Sequence, residues 1–364
     1  MPSATSPHPL TGFVAGLPKV ELHVHHVGSA SPRTVAELAA RHPGTVPSDP
    51  EQLREFYRFR DFAHFIEVYL AVVDLLREPE DIRLLTYEIA QEMAREQAVR
   101  YAEVTLTPYT SVRTGIPIEA FVEAVEDARV AAERDHGIVL RWCYDIPGEF
   151  GLPAAEATLD YALHHAPSTL VSFGLGGPEI GVGRPQFKDV FDQARAAGLH
   201  SVPHAGETTG PQTIWSALRD LGAERIGHGT STVQDPALLE YVVEHQVPLE
   251  VCPTSNVATR AVERLDAHPI RQMWDAGAFV TVNSDDPPMF GTTLDREYEI
   301  AADLLGLDEA GIAGLAKNAV RASFLAERDK VALAAEIDAY TVGAPTAEGG
   351  ERRPRQDSNL RPPD

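Results

Sequence analysis

Two histidines near the start of the chain could bind a metal ion. His23 and His25 lie in the short apolar run KVELHVH, residues 19–25. Because alternate side chains of a β-strand point to the same side, the two imidazoles would share one face, and His26 would point to the other. Neutral imidazole nitrogens suit Zn²⁺. The pair alone is a common pattern, so it indicates at most half of a metal site.

More histidines and acidic residues follow later apolar runs, in the motifs HAGE (204–207), GHG around His228, and SDDP (284–287). A metal shell of three nitrogens and one oxygen could come from four of these side chains: His23, His25, His204 and Asp285. Zinc in such a site keeps one position for water and lowers its pKa to about 7, which gives a hydroxide nucleophile at neutral pH. Each residue alone has a structural alternative, such as a helix cap or a core histidine.

Eight apolar runs of strand length alternate with helical patterns along the chain. The runs cover residues 19–25, 99–108, 138–146, 170–177, 200–207, 225–229, 248–255 and 279–287. Continuous apolar runs are typical of parallel strands covered on both faces. The alternation predicts a TIM (β/α)8 barrel, whereas an open doubly wound sheet would need a glycine-rich phosphate loop after its first strand. Most runs end in polar residues or glycine, and in a barrel these ends meet on one face.

We expect one barrel domain over residues 1–340. Residues 43–66 form an insertion rich in Phe, Tyr and Arg. This insertion predicts a helical lid over the strand ends, with a flap packed against the barrel as the alternative. Residues 341–364 are rich in Pro, Gly and Arg and lack periodicity, which predicts a disordered tail.

The composition limits the classes of partner. The chain has 31 Lys and Arg against 54 Asp and Glu, a net charge of −23, which would repel a nucleic-acid backbone. It has no long apolar stretch for a membrane span, no signal-peptide pattern and only two cysteines, so we predict a cytoplasmic protein without a membrane role. The expected partner is a small molecule, and no pattern indicates an oligomeric state.

Six motifs, taken in order, resemble the adenosine deaminase family of the amidohydrolase superfamily: PKVELHVHHVGSA, YAEVTLTP, HAGE, RIGHG, CPTSN and VNSDDP. The resemblance covers about residues 17–335. It implies an aminohydrolase that acts on a 6-aminopurine nucleoside with one zinc ion per chain. The metal ligands that it implies are His23, His25, His204 and Asp285. Relatives with two metals carry a modified lysine on the fourth strand, and LVSFGLGG has no lysine.

The resemblance also implies roles for four further residues. Glu207 would protonate purine N1, and His228 would be the base that orients and deprotonates the zinc water. Asp286 would bind N7, and the backbone of Gly177 would donate to N3. Hydroxide attack at C6 builds negative charge on N1, so the acid beside it should have a raised pKa.

One position departs from the family pattern. Adenosine deaminases read H-x-H-L-D-G, with the Asp on the ribose 5′-hydroxyl, whereas this chain reads HVHHVG with Val27 at that place. A hydroxyl left unpaired by valine would cost about 1 to 3 kcal/mol. We therefore expect a substrate with a 5′ substituent, unless the hydroxyl is solvated or bound from elsewhere.

HVHHVGSASPR and FRDFAHF resemble the bacterial branch of the family that deaminates 6-aminodeoxyfutalosine in the futalosine route to menaquinone. That substrate carries an aryl carboxylate attached through C5′, which aromatic and arginine side chains could bind. The candidates are Phe59, Phe62, Arg58, Arg60 and Arg184. Adenosine and 5′-methylthioadenosine are alternative substrates. A non-catalytic nucleoside-binding protein is a further alternative, against which stands the complete set of catalytic positions.

Overall fold

A computed structural model gives the fold and describes residues 8–343. Within these residues, eight parallel strands alternate with helices. The strands are β1 Lys19–His25, β2 Val99–Leu106, β3 Val139–Pro147, β4 Leu170–Gly176, β5 His200–Ala205, β6 Ile226–His228, β7 Leu249–Val251 and β8 Val280–Val282. Each predicted run coincides with one of them, although β3 continues one residue beyond its run, to Pro147.

The strands pair in chain order from β1 to β8. The circle closes just beyond β8, where the backbone N–H of Asp285 donates to the carbonyl of His23 at 3.0 Å and that of His25 donates to the carbonyl of Asp285 at 3.0 Å. The predicted TIM barrel is confirmed. Closure brings the end of β8 directly beside the two histidines of β1.

The last three strands are shorter than their apolar runs because the chain leaves the sheet at polar residues. His228 has a φ of 62° and Asp285 a φ of 66°, both in the left-handed region. Residues with side chains rarely adopt this conformation, and such strain is concentrated at functional sites. The backbone therefore turns where these two side chains enter the barrel mouth.

Seventeen α-helices lie within residues 8–343. Their bounds are α1 Thr11–Gly16, α2 Pro32–Arg41, α3 Pro50–Phe56, α4 Phe62–Val73, α5 Pro79–Glu96, α6 Pro108–Arg113, α7 Ile118–His136, α8 Gly151–His164, α9 Lys188–Ala196, α10 Pro211–Asp220, α11 Pro236–Glu244, α12 Pro253–Ala258, α13 Ile270–Asp275, α14 Pro287–Phe290, α15 Leu294–Leu305, α16 Glu309–Ala322 and α17 Glu327–Gly343. None of these helices has an apolar stretch that could span a bilayer.

Four helices, α2 to α5, separate β1 from β2. The predicted insertion contains α3 and the start of α4. Each of these two begins at an aspartate cap, because Asp49 accepts from the N–H of Gln52 at 3.0 Å and Asp61 accepts from the N–H of His64 at 2.9 Å. The first three residues of the predicted tail, 341–343, are helical, and the remainder lies outside the described residues.

Candidate active site

Three histidine rings meet at the carboxyl end of the barrel. His23 and His25 come from β1, and His204 comes from β5. The ring centroid of His204 lies 4.5 Å from that of His23 and 5.2 Å from that of His25. One ligand nitrogen from each ring lies within 4.8 Å of the others. Gly227 on β6 makes this packing possible, since a Cβ there would lie 2.9 Å from Cε1 of His23.

The Nδ1 atoms of His23 and His204 contact acceptors outside the common space, whereas Nδ1 of His25 also lies 3.1 Å from Oδ1 of Asp285. Nδ1 of His23 lies 3.0 Å from Glu250 Oε2, that of His25 lies 3.3 Å from Asp286 Oδ2, and that of His204 lies 2.9 Å from the carbonyl oxygen of Leu175. Since all three partners are acceptors, each ring carries its single proton on Nδ1 when it is neutral, which is the form that binds a metal. The lone pairs on the three Nε2 atoms are thereby left for a ligand, the arrangement typical of metal-bound histidines.

Four buried atoms support the interpretation of this cluster as a metal site. The Nε2 atoms of His23, His25 and His204 and the Oδ1 atom of Asp285 make no well-aligned hydrogen bond among the described residues. Oδ1 of Asp285 lies 3.1 Å from Nδ1 of His25 and 3.6 Å from Nε2 of His23. Buried polar atoms are normally paired, so four such atoms in one place indicate a missing ligand. The other carboxylate oxygen of Asp285 is fixed by the hydroxyl of Ser255 at 2.5 Å. Three nitrogens and one oxygen form a donor set that suits zinc.

A second group of possible ligands combines Cys252 with His23, His228 and Asp285. Metals bind the thiolate, but burial, with the negative charges of Asp285 and Glu21, raises the pKa of Cys252 well above its ordinary value. Its Sγ instead lies 3.6 Å from the carbonyl oxygen of Glu250. The histidine and aspartate set therefore fits a metal better than the cysteine set does.

A buried ion network that the sequence did not suggest supports His23. Arg225 lies between two glutamates, with Nε 2.5 Å from Glu250 Oε1 and Nη2 2.5 Å from Glu103 Oε2. The three side chains are no more than 2% exposed. Because Glu250 also accepts from His23, the network fixes the ring that carries a predicted ligand atom. The only signal in the sequence was a single glutamate inside each of two apolar strands.

Glu207 lies at the cavity beyond the end of β5 and is 9% exposed. Thr259 Oγ1 donates to its Oε1 at 2.8 Å, and its Oε2 lies 3.5 Å from His228 Nε2. Burial, followed by the negative charges of Asp285 and Glu179, raises the pKa of Glu207 to about 8. Near neutral pH this carboxyl mostly holds its proton, as the predicted role of a proton donor requires.

A chain of hydrogen bonds determines the tautomer of His228. The backbone N–H of Ile270 donates to His268 Nδ1 at 3.1 Å, so neutral His268 holds its proton on Nε2, 3.2 Å from Asn256 Oδ1. The amide nitrogen of Asn256 then donates to His228 Nδ1 at 3.1 Å. Burial, with the charge of His23, lowers the pKa of His228 to about 3, so the ring is neutral. Its single proton therefore lies on Nε2, facing Glu207.

This tautomer determines which atom of His228 can donate a hydrogen bond into the cavity. A ring with its proton on Nε2 donates a hydrogen bond there and has no lone pair with which to accept a proton. His228 could act as a base only if the amide of Asn256 turned over and broke its bond with His268. With its proton on Nε2, the ring can orient a water molecule, whereas the predicted deprotonation would need the other tautomer.

A cavity opens above the cluster. His25, His204, Glu207, His228 and both aspartates of the SDDP motif line its polar side, together with Gly177. Apolar and aromatic side chains of α4 line the other side: Phe62, Phe65, Ile66, Tyr69 and Leu70. An apolar and aromatic wall that faces a few polar groups is typical of a pocket for a small molecule.

The predicted specificity residues divide into those at the cavity and those away from it. Phe62 lines the cavity. Phe59 packs behind it, with its ring centroid 5.3 Å from that of Phe65. Val27 is 8% exposed and belongs to the hydrophobic core rather than to the cavity wall. Position 27 therefore has no carboxylate, and Val27 does not form the apolar wall of the cavity. That wall comes from α4.

None of the three candidate arginines lines the cavity, so the structure does not support their prediction as carboxylate ligands. Arg58 is exposed and pairs with Glu55 at 3.2 Å, and Arg60 is exposed as well. Arg184 is 1% exposed and donates through Nη2 to the carbonyl of His204 at 2.7 Å. Arg184 therefore supports the backbone beneath a predicted metal ligand. Its basic character in the sequence did not reveal that its guanidinium faces inward.

The chain is similar to proteins of one known family. The adenosine deaminase family profile matches residues 18–340. The chain is 67% identical over 335 residues to the aminodeoxyfutalosine deaminase of Streptomyces avermitilis, covering 91% of this chain and 93% of that protein. It is 66% identical over 338 residues to the enzyme of the same name from Streptomyces coelicolor, covering 92% of this chain and 87% of that protein.

Two solved structures share the fold. The adenine deaminase from Arthrobacter aurescens superposes with a TM-score of 0.85 at 33% identity, covering 90% of this chain and 99% of that one. An amidohydrolase from Burkholderia ambifaria with bound Zn gives a TM-score of 0.85 at 25% identity, covering 94% and 96%. The named relatives are deaminases, so the prediction of an aminohydrolase is confirmed. The chain belongs to the adenosine deaminase family.

Proposed function

We propose that this protein hydrolyses 6-aminodeoxyfutalosine to futalosine and ammonia with one zinc ion, in the cytoplasmic futalosine route to menaquinone. The observation that carries the proposal is the identity of 67% and 66% to two aminodeoxyfutalosine deaminases over nearly the whole chain. Relatives named adenine deaminase are 37% identical or less. The apolar wall formed by α4 also favours a substrate with a large 5′ substituent.

The chain has the donors for zinc in place. His23, His25 and His204 each present an unpaired Nε2 atom, and Asp285 presents an unpaired Oδ1 atom. When bound, zinc supplies a water molecule activated as a nucleophile at neutral pH. The role of the four side chains is to fix the position of that water beneath the purine.

Glu207 holds the proton that the reaction needs at purine N1. Attack at C6 moves electrons onto N1, and a proton from the Glu207 carboxyl neutralises the charge as it forms. The carboxylate then recovers a proton that comes from the attacking water. The proton from Glu207 stays on N1, the water oxygen ends as the C6 carbonyl, and the second hydrogen of the water leaves in ammonia.

His228 directs the attacking oxygen. Its Nε2–H faces the space between Glu207 and Asp285, at 3.5 Å and 3.9 Å from their nearest oxygens. A hydrogen bond from this N–H to the water would orient one oxygen lone pair toward C6. Asn256 and His268 hold the proton on that side of the ring.

Two further groups are proposed to hold the purine. N7 is an acceptor, so Asp286 can bind it only through a protonated oxygen. Burial raises the pKa of Asp286, and its Oδ1 has no partner among residues 8–343. Gly177 lines the same cavity, where its backbone N–H would donate to N3.

The experiment combines product identification with metal dependence. Purified protein is incubated with 6-aminodeoxyfutalosine, adenosine or 5′-methylthioadenosine, and ammonia and the 6-oxo product are measured before and after chelation and after zinc is restored. We expect futalosine to form, activity to disappear on chelation, and zinc to restore it. Turnover of adenosine alone would contradict the proposed substrate, and full activity without metal would contradict the proposed cofactor.

A further inference from the structure

One buried carboxyl at the cavity has no role in the mechanism above. Asp145 lies near the end of β3, is 5% exposed and lines the cavity. Its Oδ1 atom has no hydrogen-bond partner among the described residues. A buried carboxyl without a hydrogen-bond partner destabilises the fold. When such a carboxyl lies in the wall of a pocket, a ligand can supply the partner.

Strand β4 is shaped to accept this side chain. A Cβ at Gly174 would lie 2.5 Å from Asp145 Oδ1, and one at Gly176 would come equally close to Oδ2. Side chains at either position would therefore displace the carboxyl from the space that it occupies. The two glycines let Asp145 lie across β4 with its oxygens beside the strand that leads to Gly177.

The metal site does not account for Asp145. The residues whose ligand atoms converge there do not include it. Burial raises the pKa of the Asp145 carboxyl to about 7; the positive charges of His25, His23 and Arg184 oppose this rise, and the charge of Glu149 adds to it. None of these groups donates a hydrogen bond to it, so its oxygens are available to a ligand.

The structure of a purine nucleoside indicates which of its groups could bind Asp145. The proposed contact of Gly177 is with purine N3, and the atom N9 that carries the ribose is one bond beyond its neighbour C4. A carboxyl beside Gly176 would therefore face the sugar. Ribose hydroxyls are donors, and a carboxylate is the strong acceptor for them. Val27, the position where the family has its sugar-binding carboxylate, lies in the core instead.

We propose that Asp145 accepts a hydrogen bond from the 2′- or 3′-hydroxyl of the substrate ribose and so makes the site selective for nucleosides over free purine bases. The inference rests on the proposed deamination of a purine nucleoside in this cavity. It transfers sugar recognition from the loop after β1 to β3, across the barrel mouth. A substrate that lacks both hydroxyls would leave Asp145 buried and unpaired.

The test measures binding rather than turnover. Dissociation constants for purine ribonucleoside and for its 2′,3′-dideoxy analogue are measured by titration of the zinc-loaded protein, for the wild type and for Asp145→Ala. We expect the wild type to bind the ribonucleoside about 10- to 100-fold more tightly, the range of a charge-assisted hydrogen bond. In Asp145→Ala the preference should fall below about threefold.

Two further variants complete the test. Asp160→Ala, at an exposed aspartate of α8, should keep the full preference of the wild type. Asp145→Asn preserves volume and should fold even if the alanine variant does not, with a preference several-fold smaller than that of the wild type. Equal binding of the two ligands by the wild type, or an undiminished preference in both Asp145 variants, would overturn the proposal.

The outcome separates this inference from the proposed substrate. A protein that discriminates between the two ligands through Asp145 but does not deaminate 6-aminodeoxyfutalosine would keep the sugar contact and lose the proposed substrate. A protein that deaminates 6-aminodeoxyfutalosine while its Asp145 variants retain the preference would keep the proposed substrate and lose the sugar contact.

Discussion

Replacing Glu207 with glutamine should abolish activity while making the metal-free protein more stable. Glutamine has the same shape and can still accept the hydrogen bond that Thr259 donates at 2.8 Å. It has no acidic proton to give to purine N1. Proton transfer by a positioned side chain contributes about 10² to 10⁴ in rate, so we expect kcat to fall by that factor.

The gain in stability follows from the pKa of the same group. Burial, followed by the nearby charges of Asp285 and Glu179, raises the pKa of Glu207 from 4.5 to about 8. The folded state therefore binds more protons than the unfolded state between these two values, and stability falls as pH rises through that window. At pH 7 the penalty is about 3 kcal/mol. Glutamine removes it, which corresponds to a rise of about 4 °C in Tm for a chain of this size.

The assay pairs steady-state ammonia release with thermal unfolding of the metal-free protein at pH 5 and pH 7. The difference in Tm between Glu207→Gln and the wild type should be larger at pH 7, and the zinc content of the loaded variant should equal that of the wild type. Glu244→Gln, at an exposed site on α11, is the control and should change neither quantity. A Glu207→Gln variant with full activity would refute the assignment of the acid, and a lower Tm at pH 7 would refute the reasoning from burial.

Two other predictions concern residues that support the site. In Asn256→Asp, the new carboxylate would accept a hydrogen bond from Nδ1 of His228, so Nε2 of His228 would become an acceptor. We expect kcat to fall by about 10² or more. The tautomer of His228 can be followed by nitrogen-15 NMR. An unchanged kcat with a reversed tautomer would contradict the orienting role. Arg225→Met removes the guanidinium that neutralises the buried carboxylates of Glu103 and Glu250, so the free energy of unfolding in urea should fall by about 3 to 5 kcal/mol. A loss below about 1 kcal/mol would show that the network is not needed.

The barrel and the main polar cluster could be predicted because their signals are local. Each apolar run and each polar residue at its end lies within a few consecutive residues, and barrel geometry brings the ends together. The pair His23 and His25 needs only the alternation of a strand to share one face. The motifs that carry the family resemblance are of the same kind.

The supporting residues could not be predicted because their partners are distant in the chain. Arg225 meets Glu103 and Glu250 only after the barrel closes, and the tautomer of His228 depends on His268, 40 residues further on. Asp145 looked like any polar strand end until the glycines of β4 showed where its carboxyl lies. Such contacts depend on tertiary packing, which periodicity does not specify.

The candidate arginines are a different case, because the structure places none of their side chains in the cavity wall. Arg58 and Arg60 are near aromatic residues in sequence, yet both side chains are exposed rather than lining the cavity. Arg184 is buried beneath His204 and supports the barrel rather than the substrate. A basic residue next to a functional segment predicts a positive charge there, but it does not predict which way the side chain points. Nothing in the composition distinguishes a guanidinium that faces a ligand from one that faces a backbone carbonyl.

The central claim is that the cavity is built for a nucleoside with a large 5′ substituent. The most direct test is kcat/KM for ammonia release from 6-aminodeoxyfutalosine, 5′-methylthioadenosine, adenosine and adenine by the zinc-loaded protein. An unpaired hydroxyl against the apolar wall of α4 costs about 1 to 3 kcal/mol, so adenosine should be roughly 5- to 150-fold poorer than 6-aminodeoxyfutalosine. Adenine, without a sugar, should be poorer still. A kcat/KM for adenosine or adenine equal to or above that for 6-aminodeoxyfutalosine would contradict the account.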